Sequence, residues 1–137
     1  MTSSSLLARS GITIVVAGFV VFLVGVFPEA IRLDQTPGTG LLQIITLLFG
    51  ITLMTLGTSI YMYATLHRAQ TPRLREDIGI RLMATGVVIA YTSGLADVLG
   101  IGSHFGAERP LLGPLQVWGI AGGVAVIVAG IILYSRR

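Results

Sequence analysis

The chain has 137 residues, of which 53% are hydrophobic and 11% charged, and its mean hydropathy is +0.87; a soluble domain carries roughly 25% charge to cover its surface, so the solvent that fits this composition is lipid. The formal charge is +3 and the pI near 10.0, with all nine basic residues arginine, but these stand at the ends of apolar runs and not among interleaved aromatics, a membrane-topology pattern that speaks against nucleic acid. Without cysteine there is no disulfide, thiolate metal site or thiol chemistry, and without asparagine there is no N-glycosylation sequon.

In chain order, the first uncharged run covers 11–28 and contains "GITIVVAGFVVFLVG". With its flanks, Ser10 to Ala30, it reaches the roughly 20 residues a helix needs to cross a hydrocarbon core. Gly11, Gly18 and Gly25 recur every seven residues in it. No A-x-A-like site follows, and Pro28 and Glu29 stand where a signal peptidase would cut, so the run reads as a retained span. The second run, 41–66, carries Gly50 and Gly57 at the same spacing, with Thr46, Thr52, Thr55, Thr58 and Ser59.

"HRAQTPRLRED" follows, with Thr71 expected as a helix cap and Pro72 as the first helical residue, so that the third helix starts before the bilayer. The third run, 82–96, reaches spanning length as Ile78 to Leu99, with Arg81 near one end and Asp97 near the other. It holds Gly79, Gly86 and Ser93 seven apart, and Thr85 and Thr92. The fourth run, 111–135, carries Pro114 at a position suited to a first helical turn, Gly123 and Gly130 at the seven-residue spacing, and a G-x-x-x-G pair in Gly119 and Gly123. None of the runs shows the period-two alternation of a membrane strand, which leaves helices.

Arginine placement sets the expected direction. Arg9, the group Arg68, Arg73, Arg75 and Arg81, and the terminal Arg136 and Arg137 put seven of the nine on one side. The other two connections each hold one arginine and two carboxylates. Both termini are therefore expected to be cytoplasmic in a multi-pass protein of the cell (inner or plasma) membrane, with Arg68, Arg73, Arg75, Arg81, Arg136 and Arg137 forming an inner basic anchor. Tyr61, Tyr63 and Tyr134 fall at the inner interface and Trp118 near the outer one.

The halves superimpose in sequence. A shift of 68 lays Gly11, Ile12, Gly18, Val20 and Glu29 on Gly79, Ile80, Gly86, Val88 and Asp97, and Gly25 on Ser93. A shift of 73 lays Pro37, Gly40, Gln43, Gly50, Gly57 and Tyr61 on Pro110, Gly113, Gln116, Gly123, Gly130 and Tyr134. The reading is a tandem duplication of a two-helix hairpin, repeat 1 over about 9–66 and repeat 2 over about 77–135, within one transmembrane domain, 1–137. The expected fold is an all-α integral membrane protein of four transmembrane helices in an antiparallel bundle. Its small residues, Gly11, Gly18, Gly25, Gly50, Gly57, Gly79, Gly86, Ser93, Gly123 and Gly130, would form the helix-packing stripes, because lipid supplies little hydrophobic drive and close backbone approach must replace it.

The central parts of the spans contain no Asp, Glu, Lys, Arg or His, which argues against a proton- or ion-coupled pump. The hydroxyls are expected to bond back to the preceding turn or across to a neighbour. His67 and His104 lie outside the spans, away from where a haem would be held. No catalytic motif, cofactor site or metal site is expected. Polar groups converge only at the outer end, where Glu29, Asp97, Gln43 and Gln116 make a candidate pseudo-symmetric cap.

In size the chain is similar to the small multidrug exporters and the fluoride channels, both four-helix proteins. It lacks the buried carboxylate in the opening span of the former and the asparagine-bearing polar spans of the latter, so neither activity is carried over. The function expected is that of a non-catalytic membrane protein that packs against other membrane subunits or against itself. A small channel or facilitator for a neutral or weakly polar solute, using the hydroxyl faces, and a membrane-embedded sensor or regulator are the alternatives.

Overall fold

Most of each uncharged run folds as a helix, the structure that lets an apolar stretch pair its backbone internally. In the computed structural model, which describes residues 3–27, 39–66, 73–100 and 113–136, these are α1 (Ser3–Val26), α2 (Thr39–Leu66), α3 (Leu74–Gly94) and α4 (Pro114–Ser135). Helix α1 begins well before Ser10, since Leu6, Leu7 and Ala8 continue the turn into the polar N-terminal tail. It stops at Val26, just ahead of Pro28, whose ring disfavours helical backbone in the residue before it.

Helix α3 starts later than expected. Arg73, with extended φ −73° and ψ 152°, is its N-cap, and the Glu76 carboxylate reaches back to accept the Arg73 backbone N–H at 2.8 Å. The expected cap Thr71 and first residue Pro72 lie outside the described residues, and the observed start is Leu74. At the other end α3 stops at Gly94 and does not run to Leu99; residues 95–100 form turns, with Gly100 at a φ of 74° that glycine adopts without a Cβ clash. Helix α4 begins with Pro114 after Gly113 as N-cap, and Gln116 Oε1 accepts the Gly113 N–H at 2.9 Å.

Three of the four helices are long and apolar enough to cross a membrane: Ser3–Val26, Gly40–Leu66 and Pro114–Ser135. Helix α3 falls short by composition because Arg75, Glu76, Asp77 and Arg81 occupy its first two turns.

The helices pair in chain order. Helix α1 lies antiparallel along α2, and α3 along α4, in two closely nested hairpins; α2 then bridges them by resting on α3 and more lightly on α4. Ile51, Met83, Ile120 and Ile127 form one core cluster between the hairpins, and Ile44, Leu48 and Ala90 a second. Outside these clusters many large apolar side chains stay exposed, among them Val16, Phe19 and Val20 of α1 and Leu115, Trp118 and Val128 of α4. A helix that is apolar all round belongs in a large core or in lipid.

Candidate functional site

Two seams hold the hairpins together, and backbone atoms line both. The buried residues of α1 are Gly11, Gly18 and Gly25, the seven-residue stripe. A methyl at Gly11 would sit 2.9 Å from Gly57 O, and one at Gly57 would sit 2.7 Å from Gly11 O. At Gly18 it would meet Met54 N at 2.7 Å and Gly50 O at 3.1 Å, and at Gly25 Leu47 N at 2.6 Å. A methyl at Gly50 would meet the Phe22 backbone, with N at 2.5 Å. The second hairpin repeats the pattern: a methyl at Gly79 would lie 2.8 Å from Gly130 O and close to the Tyr134 backbone, and one at Gly86 would lie 2.5 Å from Gly123 O. At Gly11, Gly18, Gly57, Gly79 and Gly86 one Cα hydrogen points where that methyl would go, toward a facing carbonyl, the arrangement of a weak C–H···O contact.

The last contact in each hairpin differs in an informative way. In the first, Gly25 makes room for Leu47; in the second, Ser93 is on α3 and the room is made by Gly119 on α4, against which the Ser93 side chain is pressed.

The hydroxyls turn back on their own helices. Thr46 donates to Leu42 O, Thr52 to Leu48 O, Thr55 to Ile51 O, Thr58 to Met54 O and Ser59 to Thr55 O, all at 2.8–2.9 Å. In α3, Thr85 donates to Arg81 O and Thr92 to Val88 O at 2.8 Å. Among the described residues no buried side-chain polar atom lacks a partner. Two hydroxyls also reach across to α3. Thr52 Oγ1 and Tyr91 Oη are 3.0 Å apart, and since Thr52 gives its proton to Leu48, Tyr91 is the donor. Ser59 Oγ lies 3.9 Å from the Met83 sulfur.

At the outer end, Gln116 is buried and spent on its own helix start, as described above. Gln43 is half-buried in the second turn of α2, and Asp97 is half-buried in the turns after α3. No hydrogen bond joins Gln43, Asp97 and Gln116 among the described residues, and Glu29 lies outside them. The cap is therefore three separate polar positions and not an assembled cluster.

At the inner end, Arg73, Arg75, Arg81 and Arg136 are all exposed, while Arg68 and Arg137 lie outside the described residues. Arg81 pairs with Asp77 one turn away at 3.0 Å, both side chains well exposed, so this contact contributes little to stability.

The contact between hairpins was not anticipated from sequence. A methyl at Gly94 would lie 3.1 Å from Leu48 Cδ1 and 3.3 Å from Ile44 Cγ2, so α2 leans on α3 at this glycine. The signal was present in the four-residue spacing of Gly86, Ala90 and Gly94, which puts three small residues on one face of α3. The fold and its seams thus define a bundle of apolar helices joined by backbone contact. No protein-family model, curated protein or solved structure gives a match to this chain.

Proposed function

We propose that this chain is a non-catalytic integral membrane protein that works by packing, as an accessory subunit of a membrane complex or as a homo-oligomer, with four transmembrane helices and both termini cytoplasmic. One observation carries the reading. The polar groups of the spans are consumed within the bundle, whereas large apolar side chains cover its outside, so what the chain offers to a partner is a helical, lipid-compatible surface.

Helix α3 counts as the fourth span because of its neighbour. Gly79 faces Gly130, and Ser93 faces Gly119, so α3 shares the depth of α4 over a stretch of about 21 Å at 1.5 Å per residue. Arg81 then sits near the inner boundary, where its long stem lets the guanidinium reach water. The matching contacts of the two hairpins support a duplicated unit, with repeats over about 9–66 and 77–135.

The test is purification in mild detergent. Co-migration with other membrane proteins, or a mass that is a multiple of 14.5 kDa after correction for detergent, supports packing. Solute flux through liposomes holding the isolated chain, abolished by Thr52→Val or Thr92→Val, would favour a channel and overturn it.

A further inference from the structure

We propose that the inner end of the bundle binds the headgroups of anionic phospholipids, through Arg73, Arg75 and Arg81 around an apolar anchor of Leu74 and Ile78. Contacts along the helices bring the arginines to one end. Gly11 faces Tyr61, which puts Arg9 level with the last turns of α2; Gly79 faces Tyr134, which puts Arg136 beside the first turns of α3. Ser59 meets Met83, so Arg81 is at that same level. Five described arginines, Arg9, Arg73, Arg75, Arg81 and Arg136, are exposed there.

The carboxylates at this end are engaged locally: Glu76 accepts the Arg73 backbone N–H, and Asp77 pairs with Arg81. The local balance of these seven groups is therefore positive and faces outward. Leu74 is 76% exposed and Ile78, one turn on, is 38% exposed, so the first two turns of α3 present two aliphatic side chains beside their arginines. In water such exposure is unfavourable; at an interface the aliphatic groups enter the acyl boundary while guanidinium groups meet phosphate. Tyr61 and Tyr63, also exposed at this end, fit the same depth. Charge complementarity thus selects a phospholipid of negative headgroup over a zwitterionic one. The inference rests on the membrane reading above and names the lipid that the inner end prefers.

The test is native mass spectrometry, with thermal melting, of the full chain transferred from vesicles of phosphatidylcholine alone or mixed with phosphatidylglycerol. Preferential retention of phosphatidylglycerol is expected, falling roughly fivefold for each arginine removed in Arg73→Gln and Arg75→Gln. It should also fall for Leu74→Ser, and at 1 M salt in the unaltered chain, where screening is nearly complete; the salt arm needs no variant to fold. Inorganic phosphate alone should not raise the melting temperature. Equal retention of both lipids, or a preference that the arginine variants and salt leave unchanged, overturns the proposal while the packing reading stands. A rise in melting temperature with inorganic phosphate as large as with the lipid would also overturn it, in favour of a free-anion site. Loss of the chain from the membrane fraction would instead remove the membrane reading itself.

Discussion

Gly86 and Gly123 face each other so closely that neither tolerates a side chain: a methyl at Gly86 would lie 2.5 Å from the Gly123 carbonyl oxygen, and one at Gly123 would lie 2.6 Å from that of Gly86. The obstructing atoms are backbone, which cannot swing aside. Gly86→Ala and Gly123→Ala should each cost about 1–3 kcal/mol through forced separation of α3 and α4. Gly122→Ala, one residue away with nothing within 4 Å, should be neutral or slightly stabilising. Thermal melts in detergent followed by circular dichroism decide it. Equal melting temperatures for all three variants would show that the seam bears no stability.

Thr52 and Tyr91 make the hydroxyl contact between the hairpins. Tyr91→Phe removes the donor but leaves Thr52 bonded to Leu48 O, so the loss should be near the ~0.6 kcal/mol average for such contacts in membrane bundles. A double-mutant cycle with Thr52→Val should give a coupling of that size. Additive single effects would show that the two hydroxyls do not interact.

Gln116 is buried and closes the start of α4. Gln116→Ala leaves the Gly113 N–H without its acceptor, and a lost cap costs roughly 0.5–2 kcal/mol. Amide exchange should accelerate at the first turn of α4 and stay unchanged around Gly130. Uniform exchange along α4 would refute a local capping role.

The chain contains no cysteine, so a single introduced thiol reports topology without background. Arg73→Cys should be protected from an impermeant maleimide in intact cells and labelled after permeabilisation, as positive-inside placement requires. Labelling in intact cells would reverse the proposed orientation.

The helical nature of the four runs was legible because long uncharged stretches leave the backbone no way to satisfy itself except internally. Their ends were not, for different reasons at each. The start of α1 at Ser3 lies in the polar tail, where hydropathy carries no signal. The start of α3 is set by Glu76 folding back on Arg73, a side-chain choice that competed with the Thr71–Pro72 signal. Gly11, Gly18 and Gly25 could be placed on one stripe by spacing alone, since a seven-residue period keeps to one face of a helix. Which atoms they meet could not, because that depends on the rotation of α2. The meeting of Gly94 with Leu48 and Ile44 depends on how one hairpin rests on the other, and a single sequence carries little about such rigid placement.

Because the close seams join only helices that are neighbours in the chain, assembly can proceed piecewise. The contacts of Gly11, Gly18 and Gly25 are all with α2, so the α1–α2 seam has both of its sides once α2 has been synthesised. That seam can close before α4 has been made, and short-range closure of this kind is fast. What remains for the completed chain is the docking of the two hairpins, with α2 settling onto α3 and α4.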